Sequence, residues 1–263
     1  MAKATYRLRA ETILAAARKY GGTAIFGIPD LLQGMDAREL SEAEGRALDD
    51  LMGAGLADMD FDGNTSISAD FERMIRACIN AEETCVLEFR GADAGQGTWI
   101  LNKCPKAENG GMAVYLQSAG QDPAGQYFIE EMPLQKCGDV LDGLADYSDI
   151  EKKFHRDFRM DSGVMQRKSR QEMLGAGLSG EEADAVLSAL DGSETVLIAR
   201  RVAGGQETGS LAAIISKNYG ILEMAFSYSL REKTFESMED VVFHPVIWEE
   251  LKGDIFDLFQ LKI

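Results

Sequence analysis

The 263-residue sequence is poor in the side chains that most often carry chemistry, with two histidines, four cysteines, two tryptophans and five prolines. Cys78, Cys85, Cys104 and Cys137 show no C-x-x-C spacing, and only His155 and His244 are available to join them. That excludes a recognisable zinc site or disulfide framework, and buried free thiols are expected. G-x-S-x-G, H-E-x-x-H and the GK[ST] of a P-loop are all missing, which removes the familiar hydrolase, zinc-protease and nucleotide signatures. No apolar run approaches the ~20 residues of a membrane-spanning helix. The opening MAKATYRLRAETILAAARKY has no uninterrupted apolar core and cleavage site of the signal-peptide kind. Charges at Arg7, Arg9, Glu11, Arg18 and Lys19 mark it instead as a surface helix, and a cytoplasmic protein is expected.

Positive charge is scarce too: 27 Lys and Arg face 44 Asp and Glu, for a net charge of −17. Such a surface repels phosphate, so nucleic acid and anionic membrane are disfavoured as partners. The hydrophobic fraction of 45% is enough for a sizeable core. Two glycine-rich stretches, GADAGQG (Gly91–Gly97) and AGGQETG (Ala203–Gly209), join strands and lack phosphate-loop spacing. They read as turns.

The stretch ADMDFDGNTSIS (Ala57–Ser68) places Asp58, Asp60, Asp62 and Gly63 where a calcium loop of the D-x-[DN]-x-[DN]-G-x₅-E type begins. Its twelfth position is Ala69 rather than the glutamate that closes the calcium shell, and Asp70 lies one residue too far. Gly53 and Gly55 also interrupt the helix that should lead into it. Met59 and Phe61 alternate with the aspartates, and Thr65 and Ile67 alternate on the return, so a β-hairpin turning at Asp62–Gly63 is expected.

The chain repeats itself. Glu83–Arg90 (ETCVLEFR) resembles Glu194–Arg201 (ETVLIARR) at an offset of 111, and Met112–Leu116 resembles Met224–Tyr228 at 112. Pro133 and Pro245 share the offset of 112, as do Gly97 and Gly209. Upstream, MGAGL (Met52–Leu56) and LGAGL (Leu174–Leu178) are 122 apart, so the acidic hairpin is extra to one copy. In the first copy Ser41 and Glu44 form a capping box before Ala47, Leu48, Leu51 and Met52, and Ser68 caps a helix with Phe71, Met74, Ile75, Cys78 and Ile79. Strands follow at Cys85–Phe89, Thr98–Leu101, Met112–Leu116 and Tyr127–Met132, then a helix from Pro133 carrying Cys137, Val140, Leu141 and Leu144. In the second copy Ser179 and Glu182 cap a helix with Ala183, Val186, Leu187 and Leu190. Strands are expected near Thr195–Arg200, Leu211–Ile215, Ile221–Ser227 and Asp240–Phe243, with His244 as a cap and Pro245 opening a last helix. Its inward side chains are Ile247, Trp248, Leu251 and Ile255.

Between the copies Lys152, Lys153, Arg156, Arg159, Arg167, Lys168 and Arg170 face only Asp157 and Asp161. Ile150, Phe154 and Phe158 are four apart, which gives the first part of this run a helical apolar stripe before Gly163. Such a run is a solvated helical linker or a docking surface for a partner. In the second case its contact residues are Lys152, Phe154, Arg156, Phe158, Arg159, Met160, Met165 and Arg167.

These elements make an α+β fold: a central antiparallel sheet flanked by helical bundles, in two halves related by a pseudo-two-fold axis. It forms a single domain over residues 1–263, with half 1 at about 1–148, a basic helical connector at about 149–173 and half 2 at about 174–263. FGIPDLL, LMGAGLAD, the acidic hairpin, ADFERMIRAC and CVLEF, followed by a second copy, resemble the EspG-like cytosolic chaperones of type VII secretion. The resemblance implies a non-enzymatic protein without cofactor or metal, which binds the helical part of a small secreted protein or helical protein pair and delivers it for export. It places the client surface on the helical region Leu134–Leu190 and the GADAGQG loop. The alternatives are a calcium-responsive adaptor acting through Asp58–Asp62 and an enzyme of unrecognised class.

Overall fold

Oxygen-bearing caps followed by apolar side chains at three- and four-residue spacing set most helices of this chain. The structure is a computed structural model and describes residues 5–62, 64–91, 97–104, 111–119, 122, 124–143, 146–228 and 238–261. Leu144 and much of the strand-joining stretches GADAGQG, KAENGG and AGQDPAG lie outside the described residues. The chain divides into two compact units.

The first unit comprises Met1–Val86, Gln96–Val140 and Arg201–Thr208. Its elements begin with β1 (Thr5–Arg9), α1 (Ala10–Lys19), α2 (Ala37–Gly53), the pair β2 (Ala57–Met59) and β3 (Thr65–Ile67), and α3 (Ala69–Ile79). The meander β4 (Glu83–Arg90), β5 (Thr98–Cys104), β6 (Met112–Ser118) and β7 (Gln126–Pro133) follows, and α4 (Cys137–Asp142) ends the series. The strands lie in the order β1-β7-β6-β5-β4, with β1–β7, β5–β6 and β6–β7 antiparallel. Ser68 Oγ accepts the Phe71 N–H at 3.3 Å to start α3, whose Phe71, Met74, Ile75 and Cys78 are buried at the expected helical spacing.

Two expectations fail in this unit. The N-terminal stretch is a strand followed by a core helix, with Thr12 and every residue from Ile13 to Ala17 buried. Two of its charges are held in ion pairs: Arg9 meets Asp50 at 2.5 Å and Glu11 meets Arg46 at 2.5 Å. The α2 capping box is Asp36–Glu39 rather than Ser41–Glu44. Asp36 accepts the N–H groups of Arg38 and Glu39 while Glu39 accepts that of Asp36, so Ser41 lies inside a helix begun earlier.

The second unit comprises Leu87–Gly95, Leu141–Arg200 and Gly209–Ile263. It contains β8 (Phe158–Asp161), α5 (Ser162–Arg167), α6 (Arg170–Gly175), α7 (Gly180–Leu190), β9 (Thr195–Ala203), β10 (Gln206–Ser216), β11 (Gly220–Tyr228), β12 (Met238–Val246) and α8 (Trp248–Leu258). The order is β9-β10-β11-β12-β8, and β10–β11, β11–β12 and β12–β8 are antiparallel. Gly204 and Gly205, at φ of +57° and +77°, turn β9 into β10 in two residues, a left-handed turn that suits glycine. Mixed helices and antiparallel sheet place the chain in the α+β class.

Pro245 does not open the last helix. It pairs with Leu222 inside β12, beyond the four residues paired with β8, in the kind of edge position where a strand tolerates proline. The helix starts three residues later, with Glu250 accepting the Ile247 N–H at 3.0 Å. Trp248, Leu251 and Ile255 are buried as expected, whereas Ile247 is exposed.

The repeated GAGL closes α2 and α6 in the same way. Gly55 and Gly177 take positive φ, the Leu56 N–H bonds the Leu51 carbonyl, and the Leu178 N–H bonds the Met173 carbonyl. Each leucine is buried beside the helix it terminates, the pairing that completes a glycine-ended helix. After Leu178 the chain enters α7 at once through its cap Ser179, whereas after Leu56 it makes the β2–β3 hairpin before Ser68 caps α3.

Within the first unit Lys103 is buried at 4% exposure and pairs with Glu83 at 3.2 Å, which also holds Arg201 at 2.9 Å. The Arg201 guanidinium, and Lys103 behind it, hold the Glu83 carboxyl below its ordinary range against the opposing effect of burial. A depressed folded value contributes stability above the unfolded carboxylate pKa of about 4.3 and loses it as pH falls through the folded value. Glu83→Gln is expected to cost of the order of 3 kcal/mol at neutral pH, because Lys103 and Arg201 both lose the carboxylate they share. It should also flatten the stability-against-pH curve below about pH 4.5, as read by urea unfolding across a pH series.

Candidate functional site

The basic run between the repeats has a backbone other than the expected one. Residues 151–157 form neither helix nor strand, Phe158–Asp161 form the edge strand β8, and helix appears only from Ser162. The four-residue spacing of Ile150, Phe154 and Phe158 therefore does not make a helical stripe. Alternation with period two takes over, so Phe158 and Met160 point into the core of the second unit at 7% and 1% exposure while Arg159 between them points out. Phe158 stacks on Phe243 with centroids 4.8 Å apart and meets Phe154 edge-on at 5.6 Å. Met165 on α5 is half-buried against the same core. Gly220, at φ +82°, lets the backbone of Glu151–Lys153 pass close by; a Cβ there would sit 3.0 Å from the Glu151 carbonyl oxygen. His244, expected as a helix cap, lies in β12, and its Nδ1 is 2.9 Å from the Asp157 carboxylate.

Four of the eight candidate residues, Lys152, Arg156, Arg159 and Arg167, are exposed. The three arginines already have carboxylates: Arg156 meets Glu182 at 3.4 Å, Arg159 meets Asp240 at 2.9 Å, and Arg167 meets Glu172. Their neighbours are engaged as well. Lys153 pairs with Glu151, Arg170 grips Asp184 through two hydrogen bonds of 2.6 and 3.1 Å, and Lys168 donates to the Leu190 carbonyl at the end of α7. Much of the basic run is neutralised within its own unit.

The acidic stretch of the first unit is the hairpin expected, with Ala57↔Ile67, Asp58↔Ser66 and Met59↔Thr65 in register. Asp60 builds its turn. One carboxylate oxygen accepts the N–H groups of Asp62 and Asn64 at 3.0 and 2.8 Å, and the other accepts the Asn64 side-chain amide at 2.9 Å. At the tip Phe61 is fully exposed, and Met59 and Met52 are exposed nearby in sequence.

Beside this wing lies an open cleft of about 320 Å³. Ala15 and Ala16 of α1 line it with Ala47, Leu48 and Leu51 of α2 and Thr65 and Ile67 of the wing, while Lys19 and Glu44 supply charge. The alanines come from the segment read as a surface helix; three consecutive alanines behind Ile13–Leu14 were the sequence signal for close packing there. Ala57, Met59, Thr65 and Ile67 share the wing's cleft-side face through their paired register, and Leu48 and Met52 share a face of α2 through their four-residue spacing. The result is an apolar surface with one cation, Lys19, and one carboxylate, Glu44, at its margin, while Asp58 pairs with Ser66 on the wing's other face.

The thiols add little reactivity. Burial raises Cys78, Cys85 and Cys104 above the ordinary thiol range, Cys85 to about 11, which leaves the nucleophilic thiolate scarce at neutral pH. Models of known protein families give no match to this chain, and neither do curated proteins.

Calcium titration of the full chain by calorimetry is expected to stay flat, because the turn itself occupies both Asp60 oxygens. Asp60→Ala should raise hydrogen exchange at Asp62 and Asn64 at least tenfold while leaving global stability within about 1 kcal/mol.

Proposed function

We propose that this chain is a non-enzymatic adaptor, a cytoplasmic chaperone that holds the helical part of a secreted client for type VII-like export. The observation that carries this reading is the open apolar cleft between α1, α2 and the wing, with Phe61 exposed at the wing's tip. Helix-in-groove recognition needs such a seat: an apolar trough, a floor of small residues that admits a close approach, and large side chains at the margin.

A second support is the shared plan of the chain. An edge strand, helices, a four-strand meander and a closing helix occur in the same sequence twice, from β1 to α4 and from β8 to α8. The helices α3 and α7 are both eleven residues long and begin 111 residues apart, the offset of the sequence repeat. We take the chain to be a duplication, with one copy from β1 to α4 and the other from β8 to α8, so that much of the stretch read as a connector (149–173) belongs to the second copy, and with α1–α3 and α5–α7 as their helical layers. This is the arrangement implied by the resemblance to EspG-like chaperones. The cleft belongs to the first half, outside the Leu134–Leu190 region to which that resemblance directs attention.

Affinity capture from the source organism, with wild-type protein and Leu48→Glu compared by mass spectrometry, tests the proposal. Wild type is expected to retain a small helical exported protein, and the variant to lose at least about tenfold of it, since a carboxylate would be buried unpaired against the client. Circular dichroism checks that the variant is folded. Recovery of metabolic enzymes alone, equally by both proteins, would overturn the reading.

A further inference from the structure

We propose that Asp157, His244, Glu223 and Asp254 form a proton-linked clasp that fastens α8 and the segment 151–157 to the strands of the second unit, closing as pH falls from neutral toward mildly acid. The four groups come from four places in that unit. Glu223 of β11 and His244 of β12 are direct cross-strand partners, so their side chains share one face of the sheet. His244 Nδ1 lies 2.9 Å from the Asp157 carboxylate, at the end of the segment before β8. On the other side, the half-buried Glu223 carboxyl hydrogen-bonds that of Asp254 on α8, a contact between two acids that requires a proton. The same helix lies close on β10, where a Cβ at Gly209 would sit 2.7 Å from Leu258 Cδ1.

Charged groups on the packed elements are largely engaged elsewhere. Arg159 is held by Asp240, Lys153 by Glu151 and Arg156 by Glu182. Lys152 and His155 stand on the segment itself, five and two residues before Asp157. On α8, Glu250 accepts the Ile247 N–H, and Lys252, two residues before Asp254, lies on another side of the helix. One imidazole therefore stands among three carboxylates. With all four groups deprotonated the cluster is triply negative, and each proton taken up removes one charge. Burial first, then Asp254, raises the Glu223 carboxyl above its ordinary range, against the opposing effect of His244. A raised folded value contributes stability that is complete below the unfolded carboxylate pKa of about 4.3 and is lost as pH rises through the folded value. The His244–Asp157 pair runs in the same sense, because its attraction needs the imidazolium that histidine gives up as pH rises.

Hydrogen exchange of the full chain between about pH 5 and 8, corrected for the intrinsic pH dependence of amide exchange, tests the clasp at α8. Protection there is expected to fall about fivefold across that range, while α3 in the first unit changes less than about twofold. Glu223→Gln still donates to Asp254 but has no proton to lose, so its α8 should keep the acid-side protection throughout. Asp254→Asn, at an exposed position, should flatten the profile in the same way. His244→Gln removes the cation that draws Glu223 toward its charged form, so the fall should move to higher pH. It should also speed tryptic cleavage at Lys152 and Lys153 about threefold at about pH 6, because Asp157 loses its partner. A flat wild-type profile, a Glu223→Gln profile as steep as wild type, or a fall or cleavage rate that His244→Gln leaves unchanged would each overturn the inference.

Discussion

A buried ammonium has to be neutralised, and in the first unit that requirement holds three strands to one arrangement. Lys103 ends β5 almost out of contact with water, and Glu83 at the start of β4 is its partner. Glu83 also takes Arg201 from the end of β9, a segment that belongs to this unit. The same strands carry Thr84 bonded to the buried Asn102 at 3.1 Å, and the Glu82 N–H bonded to the Lys103 carbonyl at 3.0 Å. A slip of one residue between β4 and β5 would part Lys103 from Glu83 and Asn102 from Thr84, so polar groups police the register of this strand pair. The α1 and α3 helices then cover the face carrying Val86 and Ile100. Gly27, at φ +90°, comes so near this face that a Cβ there would sit 2.9 Å from Ile100.

Charge is distributed unevenly between inner work and outer surface. Seven cations between Lys152 and Arg170 look in sequence like a binding surface, yet most are tied to carboxylates or to a helix end of their own unit. The acidic wing looks like half a metal loop, yet Asp60 spends its oxygens on the turn while Asp58 and Asp62 face water. The charges that line the cleft are one of each sign, Lys19 and Glu44, beside apolar side chains of α1, α2 and the wing.

Much of the fold was legible because its elements are strongly periodic. The eight meander strands lie where alternation and turn residues placed them, most with a few extra residues at their ends, and the Gly204–Gly205 turn follows from glycine alone. Legibility failed where two periods share one spacing. Ile150, Phe154 and Phe158 are four apart, which suits a helix, but also fall on one side of an extended chain. Pairing with β12 decided for the strand, and with it that Phe158 and Met160 are core. The start of α8 failed for a related reason: Pro245 suits a first helical turn, but it equally suits a strand position beyond the residues that the edge strand pairs.

The amino-acid sequence by itself determined the helical and extended stretches, the glycine turns that separate them, the acidic hairpin between two helices and the excess of negative charge. Those properties are local or additive, so a single chain displays them. Only the tertiary structure decided which apolar residues are left outside. Phe61 and Phe158 each stand next to charged neighbours in sequence, but Phe158 finds Phe243 across a strand pair while Phe61 stands at the tip of a hairpin with nothing opposite. Burial depends on partners far along the chain, and so does the cleft, whose walls come from α1, α2 and β3.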